Sequence, residues 1–401
     1  MLKKTIILCL ILNAFSSFAQ SKSEQIAFVV QQIAQTIEQN YVNEDKAKEI
    51  AEALRSNIGE YALMEEEALL AQINIDMHAI HNDRHIQLIE ANAGPSLPWK
   101  QKFIKSIKLL DGNIGYLKIT NFPNPDEQVY SDIASAMAFL KDSDGLIIDI
   151  RGNRGGHPST VAEILGYFIE GSMVYDRFYV PKEDKTYDYE THKKVKGEKQ
   201  VGKPLSVLID EKTASVSELF AFAVQNLKLG KVYGQSSMGL VNLAGYYPVA
   251  SGKYYLLLSK GRQVNPFDEN GLENSGVQPD VKTKNTLDEA HMQMVGSIHG
   301  QPMKEWLLSG IKQEWNIDNA QNLNSFTGHY GSIAISMVHQ DLVYTDASGF
   351  SYTLVRIKDQ LFELESSREA RFRVRFDQSD SSKVLTKLYF DGRKVSYNSE
   401  H

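Results

Sequence analysis

Leu205-Ser-Val-Leu-Ile-Asp210-Glu-Lys-Thr213-Ala214-Ser215-Val216-Ser217-Glu218-Leu-Phe-Ala-Phe-Ala223 is an apolar run, a polar turn and a second apolar run. The first run is short and unbroken, as expected of a strand covered on both sheet faces. The second has the length and composition of a helix. About sixty residues earlier stands a counterpart, Gly145-Leu-Ile-Ile-Asp149-Ile-Arg151-Gly152-Asn153-Arg154-Gly155-Gly156. Both predict a strand, a turn and then a helix. One turn is rich in glycine, and the other presents small hydroxyl residues. A strand-to-helix turn exposes backbone N–H groups at the helix N-terminus, where negative charge is stabilised. A serine there, beside a glycine turn with free N–H groups, is the layout that acyl-transfer chemistry needs.

Working outward, strands and helices alternate. A strand is expected at Asn113–Ile119 and a helix at Ser131–Leu140. Another helix follows at Ala162–Ile169 and a third from about Val216 to Leu227. Further strands are expected in Lys231–Gly234, Gly245–Val249 and Tyr254–Ser259. This alternation implies an α/β core with crossover connections. Before it, residues 22–90 read as helical. Ile26, Val29, Val30, Ile33, Ile37 and Tyr41 recur at helical spacing, and two more helices follow at about 46–58 and 65–81. Ala93-Gly94-Pro95-Ser96-Leu97-Pro98 reads as a loop. From about Phe326 the pattern changes to period two, with turns at Gly349, 377–382 and Asp391-Gly392. That predicts a small antiparallel β domain, of barrel type.

The chain has 401 residues, a hydrophobic content of 42% and a charged content of 23%, so it reads as an ordinary globular protein. Its net charge of −7 argues against nucleic acid or an anionic membrane as partner. Lys3 and Lys4, the apolar run Thr5–Phe15 and Ser17-Phe18-Ala19 form an export signal with a small-x-small cleavage site. Cleavage is expected after Ala19, giving a periplasmic or secreted protein with no membrane span. Cys9, the only cysteine, lies inside this signal. The mature chain therefore has no disulfide, no thiol nucleophile and no cysteine metal site.

Thr213, Ser215 and Ser217 are the candidate nucleophiles. Serines at helix starts are usually only N-caps. Ser215 stands at the expected start of the helix, so it is the residue we favour. A serine needs a base. Lys228 and Lys231 read as surface residues, and Leu240 stands where a lysine would have been informative. Histidine suits the task, and His85, near the expected domain junction, is one candidate. His157, just after the glycine turn, is another. His78, His81 and His85 invite a zinc reading, but His81-Asn-Asp-Arg-His85 lacks the glutamate of an HExxH motif. No metal and no cofactor are expected. Glu273, in Gly271-Leu-Glu-Asn-Ser-Gly-Val-Gln-Pro-Asp280, offers a carboxylate to orient a histidine or is an ordinary loop residue.

Taken in order, the glycine-turn segment 145–156, Thr213-Ala-Ser-Val-Ser-Glu218 and Glu273-Asn-Ser-Gly-Val-Gln-Pro-Asp280 resemble three motifs of one serine peptidase family. It is that of the tail-specific (C-terminal processing) proteases, tricorn protease and interphotoreceptor retinoid-binding protein. The resemblance covers roughly residues 25–285. It implies a crotonase-like or ClpP-like peptidase core at 96–290, behind a signal peptide at 1–19 and an N-terminal helical domain at 20–95. A helical connector at 291–325 and the β domain at 326–401 complete the expected organisation. Tail-specific members use a Ser–Lys dyad with the lysine after a glycine; here that position is Gly239-Leu240. Asn82-Asp83-Arg84-His85 resembles instead the D-x-H segment of the tricorn-like and retinoid-binding-protein-like branch. The resemblance thus implies Ser215 as nucleophile, His85 as base and Glu273 as orienter. Val216, Gly155 and Gly156 would supply the oxyanion hole. Too few residues follow His85 before the first core strand to hold a PDZ domain. The implied activity is hydrolysis of a peptide or protein substrate. The alternative is a non-catalytic binding protein for a hydrophobic ligand or peptide on the same fold.

Overall fold

The computed structural model describes residues 22–91, 102–267, 271–309, 323–358, 360–365, 372–379, 382–389 and 391–399. The export segment and the loop expected at 93–98 lie outside these residues. Among the described residues two compact units form. One draws on the described residues within 22–108, 116–142 and 148–286, the other on those within 109–115, 143–147 and 287–399.

The first unit opens with helices α1 (22–40), α2 (Glu44–Ser56), α3 (Ile58–Tyr61) and α4 (Glu66–Ile80). Asn43 caps α2 by accepting from the Lys46 N–H. The apolar stripe read from the sequence is the buried one: Val30, Ile33, Ile37 and Tyr41 have no exposed surface. The same cluster includes Leu88, Val249, Tyr254, Leu256 and Leu258. The helices therefore share one core with strands rather than forming a helical domain of their own. Each large apolar side chain buried there contributes about 1.5–3 kcal/mol. The end of the expected helical stretch is itself a strand, β1 (Gln87–Glu90), antiparallel to β10 (Tyr254–Gln263) with Gln87 opposite Leu257.

Two sheets follow. A six-stranded one has the order β11 (Val281–Lys282), β8 (Gly230–Gly234), β7 (Leu205–Ile209), β4 (Gly145–Asp149), β3 (Ile114–Ile119), β2 (Ile104–Leu110). β7, β8 and β11 run parallel. Every residue of β4 and β7 is buried, which accounts for their unbroken apolar sequence. Helices α5 (Glu127–Phe139), α6 (Pro158–Gly166) and α7 (Val216–Asn226) connect the strands. A five-stranded sheet contains β1, β10, β5 (Val174–Val180) and β6 (Lys185–Glu190), with β9 (Leu243–Val249) also paired to β10.

The second unit contains α8 (Thr286–His299), α9 (Gln301–Ser309) and an antiparallel meander of eight strands. These are β12 (Gly328–Tyr330), β13 (Ile333–Val338), β14 (Asp341–Thr345), β15 (Ser351–Lys358), β16 (Leu361–Leu364), β17 (Phe372–Ser379), β18 (Ser382–Tyr389) and β19 (Lys394–Asn398). A bridge between Tyr330 and Ser399 links the two ends, so the sheet is nearly closed. Phe326, Tyr330, Tyr344, Phe362 and Phe376 fill its core.

Candidate active site

The two turns that open the sequence reading meet at the ends of β4 and β7. The Gly152 N–H donates to Asp210 Oδ1 at 2.8 Å, and the Ala214 N–H donates to the Asn153 carbonyl at 3.0 Å. Contact between the turns is close because Gly155 has no side chain. A Cβ there would lie 2.8 Å from Ser215 Cβ and 3.0 Å from the Val216 nitrogen, and its φ is +99°. At Gly156 a Cβ would fall 1.8 Å from the Phe122 carbonyl oxygen.

The three hydroxyl candidates separate by burial. Thr213 is wholly buried and its Oγ1 is engaged with Ile150 and Asp210. Ser217 is wholly buried within α7. Ser215 alone of the three lines a cavity of about 710 Å³. Its φ of +58° and ψ of −131° are rare for a residue with a side chain. Such strain costs on the order of 1–3 kcal/mol and persists only where surrounding structure enforces it.

Glu218 enforces it. This carboxylate has no exposed surface. It accepts from the Ser215 N–H at 2.7 Å, Ser237 Oγ at 2.6 Å, the Gly239 N–H at 2.7 Å and the Leu240 N–H at 2.8 Å. Burial pushes its carboxyl above the ordinary range, and those four donors pull against the shift. The hub role of Glu218 depends on Ser237 to Leu240, which no local spacing announces.

The expected oxyanion donors divide. The Gly155 N–H already donates to Asn153 Oδ1 at 2.9 Å, so Gly155 is not a free donor. The correction has a simple cause: Asn153 folds back to brace the turn. Gly156 and Val216 both line the cavity, and Val216 is the first residue of α7, where N–H groups lack helical partners.

His85 lines the same cavity as Ser215 and is 7% exposed. Its Nδ1 is buried, makes no hydrogen bond and lies 3.7 Å from Asp83 Oδ1. Asp83, His85 and Glu273 each bring a nitrogen or oxygen atom to within 4.8 Å of the others. Glu273 Oε2 accepts from the Val241 and Asn242 N–H groups, both at 2.9 Å. Burial pushes the Glu273 carboxyl up, the two N–H groups and His85 lower it, and Asp83 raises it further. Asp83 is held by Tyr41, whose hydroxyl donates to Oδ2 at 2.8 Å. Neither Asp83 nor Tyr41 was singled out as a site residue from sequence. His157 also lines the cavity, but its Nδ1 accepts from the Ser159 N–H at 3.2 Å and caps α6. Lys228 and Lys231 are exposed, and Leu240 lines the cavity.

Residues 113–283 match the family model described as peptidase family S41. The likeness to peptidase family S41 covers less than half of the chain. The S41 segment holds Ser215, the glycine turn and Glu273, whereas His85 lies before it. The chain is 29% identical over 192 residues to the carboxy-terminal processing protease CtpB of Bacillus subtilis, covering 47% of this chain and 38% of that protein. It is 27% identical over 229 residues to the nisin-resistance protein of Lactococcus lactis, covering 53% of this chain and 65% of that one. The chain thus spans less than two thirds of the length of these relatives. Among solved structures, a lipoprotein from Streptococcus agalactiae superposes with a TM-score of 0.53 at 17% identity, over 69% of this chain and 96% of that one. The photosystem II D1 C-terminal processing protease gives a TM-score of 0.51 at 12% identity, over 69% and 97%. At such identities the likeness is one of fold.

Proposed function

We propose that this chain is an exported serine endopeptidase with Ser215 as nucleophile, His85 as general base and Glu273 as the carboxylate that orients it. The observation that carries this is the strained Ser215, sharing one cavity with His85 at the N-terminus of α7. Ser215 Oγ attacks the substrate carbonyl as His85 takes its proton. The oxyanion is held by the Val216 and Gly156 N–H groups. His85 then gives the proton to the leaving amine as the C–N bond breaks, and water hydrolyses the ester. An extended peptide adds along β9, whose Leu243, Ala244 and Tyr246 line the cavity. Export rests on the segment ending at Ala19. No described helix is long and apolar enough to cross a membrane.

Active-site labelling with a fluorophosphonate, followed by peptide mapping, tests the assignment. A single adduct on Ser215 that disappears in His85→Ala supports it. Folded, metal-free protein that takes no adduct overturns it and favours the non-catalytic binding protein.

A further inference from the structure

Asp83, His85 and Glu273 present an electrostatic imbalance. Asp83 is 8% exposed and Glu273 is partly buried, yet among the described residues neither carboxylate makes an ion pair with a lysine or arginine. Their only basic neighbour in the cluster is His85, whose buried Nδ1 has no hydrogen-bond partner. Buried charges of one sign are ordinarily balanced by a partner or a metal.

Both carboxylates are also braced from behind. Tyr41 fixes Asp83 through Oδ2, and the Val241 and Asn242 N–H groups fix Glu273 through Oε2. Outer contacts of this kind orient metal ligands. One imidazole and two carboxylates, with a fourth position left for water, make a donor set that suits zinc.

We propose that Asp83, His85 through Nδ1, and Glu273 form a binding site for a divalent transition metal of the zinc type, and that its occupation switches off the base. The second half rests on the peptidase reading above. A metal on Nδ1 leaves the ring's single proton on Nε2. That nitrogen then has no lone pair to receive the proton of Ser215 Oγ. This trio differs from the His78, His81 and His85 set weighed from sequence: His81 Nδ1 lies 2.6 Å from the Tyr41 hydroxyl and is engaged there.

The test uses the Ser215→Ala chain, because binding is then read without activity. Zinc is titrated by calorimetry into metal-free protein, and zinc-edge X-ray absorption is recorded on the product. The expected result is one zinc per chain, with one nitrogen and two or three oxygens at about 2.0–2.2 Å. Tyr41→Phe, which removes only an outer brace, weakens binding by about tenfold. Glu273→Gln, checked for folding by its melting curve, abolishes it. In the wild-type chain zinc suppresses fluorophosphonate labelling of Ser215, and a chelator restores it. Absence of zinc binding in Ser215→Ala, or binding that survives Glu273→Gln unchanged, overturns the site. Binding with undiminished labelling overturns the inhibitory role. If zinc binds at these ligands but metal-free wild type is never labelled, the peptidase reading fails while the metal site stands.

Discussion

Replacing Asp176 by asparagine should destabilise the protein at acid pH and stabilise it at alkaline pH. Asp176 sits at a bulge in β5 with no exposed surface, and among the described residues its oxygens meet only the Arg177 N–H at 2.7 Å and Gln263 Nε2 at 2.9 and 3.1 Å. The Arg177 guanidinium is turned away to Asp188. Burial pushes the Asp176 carboxyl up to about 7, and the two donors offset only part of that. In the unfolded chain it titrates near the ordinary 3.8. Between those values the folded state holds the proton more tightly, so stability is full below about pH 4 and falls as pH rises through 7. The gap is worth up to about 4 kcal/mol once both states are ionised. Asparagine carries no charge to desolvate. Its amide would place one N–H against Gln263 Nε2, which cannot flip freely because Gln263 Oε1 accepts from the Leu272 N–H at 2.9 Å. That conflict costs about 1–2 kcal/mol. Asp176→Asn should therefore gain about 2–3 kcal/mol at pH 8 and lose about 1–2 kcal/mol at pH 4. Urea unfolding at pH 4, 6 and 8 measures both. A difference between variant and wild type that stays constant over this range would refute the reasoning.

Three further outcomes are expected. Glu218→Gln sets an amide NH2 against two of the four donors, so unfolding measurements should show a loss of about 2–3 kcal/mol, and Ser215 labelling should fall at least about a hundredfold. Gly155→Ala drives a Cβ against Ser215 and the Val216 nitrogen, so circular dichroism should stay native while the labelling rate drops by about two orders of magnitude. Asn43→Ala removes the cap of α2, and its melting curve should report a loss of about 1 kcal/mol with labelling unchanged.

Legibility from sequence followed the range of the interactions. β4 and β7 were readable because burial on both faces writes an unbroken apolar run, and α7 because its start coincides with a turn. β1 was read as helix because its partner, β10, is far along the chain and leaves no local period. β5 and β6 went unread: β6 is largely exposed and carries Lys185, Asp188 and Glu190, so no apolar run marks it. At the site, Ser215 is legible from its place at the helix start, whereas His85 and Glu273 stand out from the other candidates only through a family resemblance. Asp83 and the hub at Glu218 were missed because their partners, Tyr41 and the 237–240 turn, meet them only in the folded chain.

The four contacts of Glu218 also bear on how this chain can change over generations. One carboxylate makes the serine turn, the start of α7 and the 237–240 segment a single thermodynamic unit. Substitutions at Ser215, Ser237 and Glu218 should then be strongly epistatic, their effects falling well short of a sum once the first has broken the hub. A lineage that loses Glu218 would be free to relax Ser215 to an ordinary backbone conformation and to drift at Ser237 at little further cost. Regaining the strained serine would require these positions to return together, so loss of this hub is hard to reverse one residue at a time.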